Sequence, residues 1–262
     1  MKRHVMGIAY HGKQYHGWQI QPNDLSVQAV VQVALKKFSL TPIKTTCAGR
    51  TDRGVHGAQQ CIHFDSEVDR PSHSWVKGTN AFLPDDVQVL WHQFVDDDFH
   101  ARFSATSRRY CYLIKQNEHN RVLWQDNAYV LKQTLAIAHM QAAAEHLIGE
   151  HDFSSFRVSQ CQAFSPIRTI HHCDIMCHDD WVSIRLEANA FLHHMVRIIV
   201  YTLIQVGLGH ENPAWVKSRL DAKSREAIAN MAPACGLYFE GAKYPENYEL
   251  PNFYTMMAKE GV

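Results

Sequence analysis

The chain has no surplus of either charge: 26 Lys and Arg balance 26 Asp and Glu across 262 residues. Net charge therefore gives no support for a polyanionic partner, and nucleic-acid binding would need basic residues gathered on one surface. The 18 histidines add positive charge only where their surroundings raise their pKa. Long apolar runs are missing as well. The best stretch, Ile198 to Val206, includes Thr202 and Gln205 and follows Arg197; at about nine residues it is far short of the ~20 that cross a bilayer. The first ten residues hold a basic pair but no apolar segment long enough for export, so they read as a first strand and the expected compartment is the cytoplasm. Seven cysteines, an odd number scattered from Cys47 to Cys235, do not form a disulfide framework and read as reduced thiols. There is no Gly-x-x-x-x-Gly-Lys-Ser/Thr loop and no Gly-x-Gly-x-x-Gly opening a helix, which argues against ATP and NAD chemistry. No Gly-x-Ser-x-Gly elbow is present either.

What is present is a glycine-rich stretch, Gly49-Arg-Thr-Asp-Arg-Gly-Val-His-Gly57, with one carboxylate, Asp52, between two guanidiniums, Arg50 and Arg53. Strand-like runs flank it, Thr45 to Ala48 before and Gln60 to Phe64 after, so it reads as a loop held at both ends by a sheet. Loops fixed in this way are common places for chemistry. Asp and Gly are also ordinary turn residues, and Asp52 bonding its own backbone is the competing reading. With no activated serine or cysteine in view, a carboxylate is the leading nucleophile, and only Asp52 combines cationic neighbours with a fixed loop.

Around this loop the pattern mixes strands and helices. Tyr10 to Gln19 is a loop whose aromatics, beside Lys13, either stack on bases or cover a core edge. Ser26 caps an amphipathic helix through Phe38, with Leu25 placed to staple onto Val30, and Thr41-Pro42 ends it. Ser72 to Phe82 predicts a second helix and Val87 to Phe94 a strand, with a solvated turn at Asp96 to Asp98. Arg102, Arg108 and Arg109 then lead into an alternating segment with Tyr110, Tyr112 and Ile114 on one face. A boundary near Ser104 to Ser107 divides the chain into residues 1–104, carrying the loop, and residues 105–262. The second part predicts a helix from Leu135 to Ile148, capped by Thr134 and stopped by Gly149. A polar loop from His151 to Arg157 precedes a hairpin of Thr169 to Cys177 and Trp181 to Ala188, turning at Asp179-Asp180. An apolar helix opens at Phe191 and runs to Gly207, a shorter one starts at Asn212-Pro213, and another helical stretch lies near Ser224 to Met231. Cys235 to Phe239 predicts a closing strand. Hairpin signals without regular βαβ alternation give an α+β fold with a mainly antiparallel sheet.

The run His171-His-Cys-Asp-Ile-Met-Cys-His178 suggests a metal site, but strand geometry opposes it. Cys173 and Cys177 would share a face roughly 13 Å apart at ~3.3 Å per residue, too far for one zinc with ~2.3 Å bonds to its thiolates. His193-His194 lacks the spacing that puts two ligands on one helix face. No metal is expected.

Four blocks in order, Gly-Arg-Thr-Asp-x-Gly-Val-His (Gly49 to His56), Arg109-Tyr-x-Tyr112, Phe-Leu-His-His-Met-Val-Arg (Phe191 to Arg197) and Gly-Leu-Tyr (Gly236 to Tyr238), with Gly-Trp-Gln at Gly17 to Gln19, resemble the TruA family of tRNA pseudouridine synthases. The likeness extends over nearly the whole chain. It implies the pseudouridine synthase fold, two similar α/β halves with mainly antiparallel sheets flanking a central cleft. It also implies isomerisation of uridine to pseudouridine at positions 38–40 of the tRNA anticodon stem-loop, by a homodimer that uses neither cofactor nor metal. Carried over residue by residue, Asp52 is the catalytic aspartate and Arg50 its orienting cation. Tyr110 packs on the uracil, Arg197 reaches the aspartate or a phosphate, and Leu237 forms an apolar wall beneath the base. Arg102, Arg108, Arg109, Arg157 and Arg168 are candidate phosphate contacts. The family commonly has alanine directly after the aspartate, and here Arg53 stands in its place. The competing function is a tRNA-binding protein that keeps the scaffold without turnover.

Overall fold

The computed structural model describes residues 1–117, 119, 121–159, 161, 163–224 and 230–251. The predicted helical stretch near Ser224 to Met231 falls largely on residues 225–229, outside them. Two compact units emerge, Met1–Arg108 joined by the chain from Tyr238 onward, and Arg109–Leu237. The division falls four residues beyond 104, and the closing strand returns to the first unit, because a sheet is assembled by hydrogen-bonded neighbours that need not be neighbours in sequence.

In the first unit, β1 (Lys2–Tyr10) lies antiparallel between β3 (His56–Ser66) and β4 (Val87–Val95), and the two-residue β2 (Thr46–Cys47) pairs with β3. The other side of β3 receives β10 (Leu237–Lys243) in parallel, Tyr238 opposite His56 and Phe239 opposite Gly57. The closing strand is thus longer than Cys235 to Phe239 predicts and breaks the antiparallel pattern. Helix α1 (Val27–Ser39) starts where its cap requires: the Ser26 hydroxyl accepts from the Ala29 amide at 3.4 Å. It buries Val27, Val31, Ala34, Leu35 and Phe38 and stops at Leu40, whose φ of 63° is left-handed. Helix α2 (Ser72–Asn80) packs beside α1 and on β4. Tyr15 and Trp18, weighed above as stacking residues, are buried in this core with Met6, Ile8 and Trp75. Their apolar area gains more from the core than from exposure to solvent.

The second unit mirrors this plan. Strand β5 (Ser107–Gln116), β9 (Trp181–Ala188), β8 (Ile167–His178) and β7 (Gly149–Asp152) are neighbours in that order, and β6 (Tyr129–Leu131) runs parallel to β5. The β8–β9 hairpin turns at Asp179, φ 51°, as the sequence predicts. Cys173 faces Leu186 across it and Cys177 faces Val182. Helix α3 (Arg121–Trp124) is a single exposed turn. Helix α4 (Ile137–Glu145) begins later than Thr134 and ends before Ile148. The amides ahead of it are taken by tertiary partners instead: Leu135 N–H donates to Gln116 Oε1 at 2.6 Å and Ala136 N–H to Gly207 O at 2.8 Å. Gly149, φ 99°, opens β7, so the expected polar loop from His151 contains a strand end and a short 3-10 turn, Ser154–Phe156, whose Phe156 is buried with Phe153. Helix α5 (Met195–Gly207) opens at Met195, not Phe191, because His194 sits at φ 62°, where a right-handed helix cannot continue. Helix α6 (Ala214–Ala222) is capped by the Asn212 carboxamide, which accepts from Trp215 N–H at 3.0 Å. None of the seven cysteines is in a disulfide. Among the described residues no helix is long and apolar enough to cross a membrane.

Candidate active site

The loop between β2 and β3 is fixed along its length. At its start, Ala48 N–H donates to Cys61 O at 2.8 Å, and the fully buried Gln60 clamps Gly49 from both sides. Its Nε2–H donates to Gly49 O at 2.5 Å, and its Oε1 accepts from Gly49 N–H at 3.4 Å. At the centre, Thr51 turns inward. Its hydroxyl shares a 2.7 Å hydrogen bond with the buried Tyr10 hydroxyl, and its carbonyl accepts from Trp18 N–H at 3.1 Å. Beyond Asp52 the chain turns tightly: Val55 N–H donates to Asp52 O at 3.1 Å, with Gly54 at φ 79° in the left-handed region open to glycine. Gly54 N–H donates to Tyr15 O at 3.3 Å. The approach of residues 15–18 to this loop needs glycine at 17. A Cβ there would lie 2.6 Å from Thr51 O, and its φ is 91°. The sequence pointed to Gly17 to Gln19 through an aromatic loop and a resemblance; it gave no role to Thr51 or Gln60, which hold the loop.

With Thr51 turned in, Asp52 is half-buried while Arg50 and Arg53 are exposed. An exposed ion pair gains only ~0–1 kcal/mol, so exposure gives Arg50 and Arg53 little hold on a single geometry. Thiol chemistry finds no support beside the loop. Burial pushes the Cys47 thiol up to about 11 despite the opposing charge of Arg50, and burial pushes Cys61 up to about 12. At the end of the loop His56 is buried, its ring stacked on Tyr238 at 4.6 Å, and its Nδ1 accepts from Gly12 N–H at 3.1 Å.

The other site residues named from sequence lie in regular elements of the second unit. Tyr110 is buried in β5, its ring edge-on to Phe191 with centroids 5.2 Å apart. Arg197 is half-buried in the first turn of α5; its Nε–H donates to Ala232 O at 2.8 Å, and its own carbonyl accepts from Ala232 N–H at 3.0 Å. Leu237, 3% exposed, opens β10 directly after Gly236, which packs against the ring of Tyr112. Tyr112 donates to Pro233 O at 2.8 Å, and burial holds its phenol well above the usual range, so it stays neutral.

The candidate phosphate contacts separate into two kinds. Arg108 is turned onto backbone carbonyls, Ala105 O at 3.1 Å, Ala48 O at 3.4 Å and Arg102 O. Arg109 pairs with the buried Glu187, Nε to Oε2 at 3.0 Å. Both serve the fold. Arg102 lies over the Phe103 ring. Arg168 donates to Ser165 O at 3.0 Å and to Ile167 O at 2.5 Å.

A family model described as tRNA pseudouridine synthase matches residues 6–104 and 143–245. Relatives called tRNA pseudouridine synthase A are similar over nearly their whole length. One from Bordetella petrii is 46% identical over 252 residues, covering 95% of this chain and 94% of its own. One from Colwellia psychrerythraea is 46% identical over 256 residues, covering 95% and 96%. One from Shewanella sediminis is 44% identical over 249 residues, covering 95% of each. By both measures, this chain belongs to the tRNA pseudouridine synthase family.

Proposed function

We propose that the chain isomerises uridine to pseudouridine in tRNA, at positions 38–40 of the anticodon stem-loop, as a cytoplasmic homodimer, with Asp52 as the nucleophile. The observation that carries the assignment of Asp52 is its half-buried placement on a loop whose neighbours Gly49, Thr51, Gly54 and Val55 are each held by hydrogen bonds. A loop held in this way presents its carboxylate in one geometry.

The reaction breaks N1–C1′, turns the uracil within the site and forms C5–C1′. The hydrogen on C5 leaves to solvent and N1 gains one, so atoms and electrons balance without a redox partner or ATP. Asp52 attacks either uracil C6 or ribose C1′, or assists a glycal route at C1′. Each requires the uridine to leave its stack, with aromatic and apolar side chains taking over its contacts. In this reading Tyr110 packs on the uracil and is placed to take the C5 proton. Leu237 walls the base, and Arg197 and the solvated Arg50 supply positive charge to the carboxylate or a phosphate. Regular elements and burial fix Tyr110 and Leu237, which suits walls that must not yield when a base enters.

The test is release of tritium from tRNA labelled at uracil C5. Wild type releases label and Asp52→Asn reduces release to background. Intact tRNA binding without release by wild type would overturn the reading in favour of a binding protein. Tyr110→Phe separates its two roles: near-normal release assigns it packing alone, and loss assigns the phenol the proton transfer.

A further inference from the structure

We propose that Tyr10 is a positioning residue for Asp52, acting through Thr51: its ring seats the far end of the loop on β3, and its hydroxyl sets the residue before the carboxylate. The seat is made by an irregularity in the sheet. Ile8 of β1 lies opposite Gln60 of β3, but Tyr10 lies opposite Gly57, so β3 runs three residues while β1 runs two. A bulge of this kind re-aims the side chains beside it. Here it brings the Tyr10 ring onto Gly57, where an added Cβ would sit 2.3 Å from a ring carbon. The ring also packs against that of Trp18, with centroids 5.7 Å apart. Tyr10 is buried, and burial holds its phenol well above the usual range, so it keeps its proton. The Gln60 carboxamide donates to the phenol oxygen, and Thr51 Oγ1 lies 2.7 Å from it. The phenol proton goes to Thr51, because Gln60 Oε1 already accepts from the Gly49 amide.

Two peptide planes meet at the Cα of Asp52, and both are pinned. The plane before it carries Thr51 O, which accepts from Trp18 N–H at 3.1 Å, and the plane after it carries Asp52 O, which accepts from Val55 N–H at 3.1 Å. A peptide is planar, so holding these carbonyls fixes the backbone of Asp52 and leaves its carboxylate only side-chain torsions. The second plane is held within the loop's own turn. The first is held from outside the loop, the Thr51 carbonyl by Trp18 and the Thr51 hydroxyl by Tyr10. Removing the Tyr10 hydroxyl lets Thr51 swing about its one remaining bond, and a displacement of ~1 Å in a reacting group costs about 10²-fold in rate. Tyr10, Thr51 and Gln60 are all buried, so the loss falls on turnover and not on tRNA affinity.

This inference rests on the proposed function for the reaction that Asp52 performs, and steady-state tritium release from tRNA labelled at uracil C5 separates the two. Tyr10→Phe keeps the ring on Gly57 and removes only the hydroxyl; kcat should fall ~10- to 100-fold while KM and tRNA affinity stay within about twofold. Thr51→Val removes the other oxygen of the pair at nearly constant volume and should lower kcat to the same degree. Tyr10→Phe/Thr51→Val should be no slower than either single variant, because all three break one contact. A merely structural role would lower the melting temperature of the variants and leave kcat, measured well below that temperature, at the wild-type value; that result would overturn the proposal. A rise in KM with kcat unchanged would overturn it too, by assigning Tyr10 to binding. Losses that multiply in the double variant would overturn the route through Thr51. Should Tyr10→Phe fail to fold, Thr51→Val carries the test, and wild-type kcat in that variant overturns the proposal. Absence of release by wild type sinks the isomerase reading and the positioning role with it, whereas wild-type release with unchanged kcat in both variants sinks the positioning role alone.

Discussion

The two units follow one plan, strands backed by a pair of helices, but fill it with different chemistry. The first buries histidines among aromatics: His4 is stacked on Phe64 at 4.8 Å, set edge-on to Trp75, and joined to His92 by a 2.9 Å contact between Nδ1 and Nε2. The second is built on α5, which buries Met195, Ile198, Ile199, Leu203 and Val206 without a titratable group among them. They also hold their proposed site residues differently. The first fixes Asp52 through hydrogen bonds to an irregular loop; the second fixes Tyr110 and Leu237 by burying them in strands. A loop carboxylate must stay near water to remain charged, so its backbone has to be restrained by specific contacts. Apolar walls need only be packed.

That contrast can be broken in order of effect. Asp52→Asn should remove tritium release while leaving the melting temperature within a degree or two, since the loop's hydrogen bonds run through its backbone and neighbours. A large loss of stability would show that the carboxylate is part of the scaffold. Trp75→Ala should cost ~3–5 kcal/mol and Leu203→Ala ~2–5 kcal/mol in denaturant unfolding. Hydrogen exchange should show the first weakening β1, β3 and β4, and the second weakening α4 and α5. Gly17→Ala should cost ~1–3 kcal/mol and lower release, because the added Cβ meets Thr51 O at 2.6 Å. Normal release would mean the loop tolerates displacement.

Acid should distinguish the cores next. Burial lowers His4 and His63 to about 4 and His92 to about 3 from an ordinary 6.5. Because the folded-state values lie below the unfolded ones, their contribution to stability is complete above 6.5 and is lost as the pH falls through about 4. The geometry agrees: the Nδ1 of His63 accepts from Ala101 N–H at 3.1 Å, which a proton there would abolish. Melting of the wild type should therefore drop over that interval, and His4→Leu/His92→Leu should flatten the profile. An unchanged profile would show that the pair is not the acid-sensitive element. The smallest effect is expected of Arg53→Ala. With an exposed side chain, Arg53 should change release by no more than a few fold; complete loss would give it a role in the reaction.

Much of this was readable from the chain. Ser26 and the i, i+3, i+4 apolar series locate α1, Asp179-Asp180 locates the β8–β9 turn, and the flanking apolar runs place the Asp52 loop between strands. These features depend on nearby residues, so local sequence carries them. The family likeness was readable too, since its blocks are short and contiguous. The start of α4 was not, because Gln116 and Gly207 capture the amides before it. Nor was the start of α5, set by a left-handed histidine, nor the return of β10 to the first unit in parallel with β3.

The sequence by itself determined the mixture of strands and helices, the position of the glycine-rich loop and the carboxylate of Asp52 within it. Tertiary structure alone decided that Tyr10, Trp18 and Gln60 clamp that loop, and that Arg109 is neutralised by Glu187. Capping and periodicity are governed by residues within a turn or two. A clamp or a charge partner is chosen by which distant side chains the sheet brings alongside, and no local pattern encodes that.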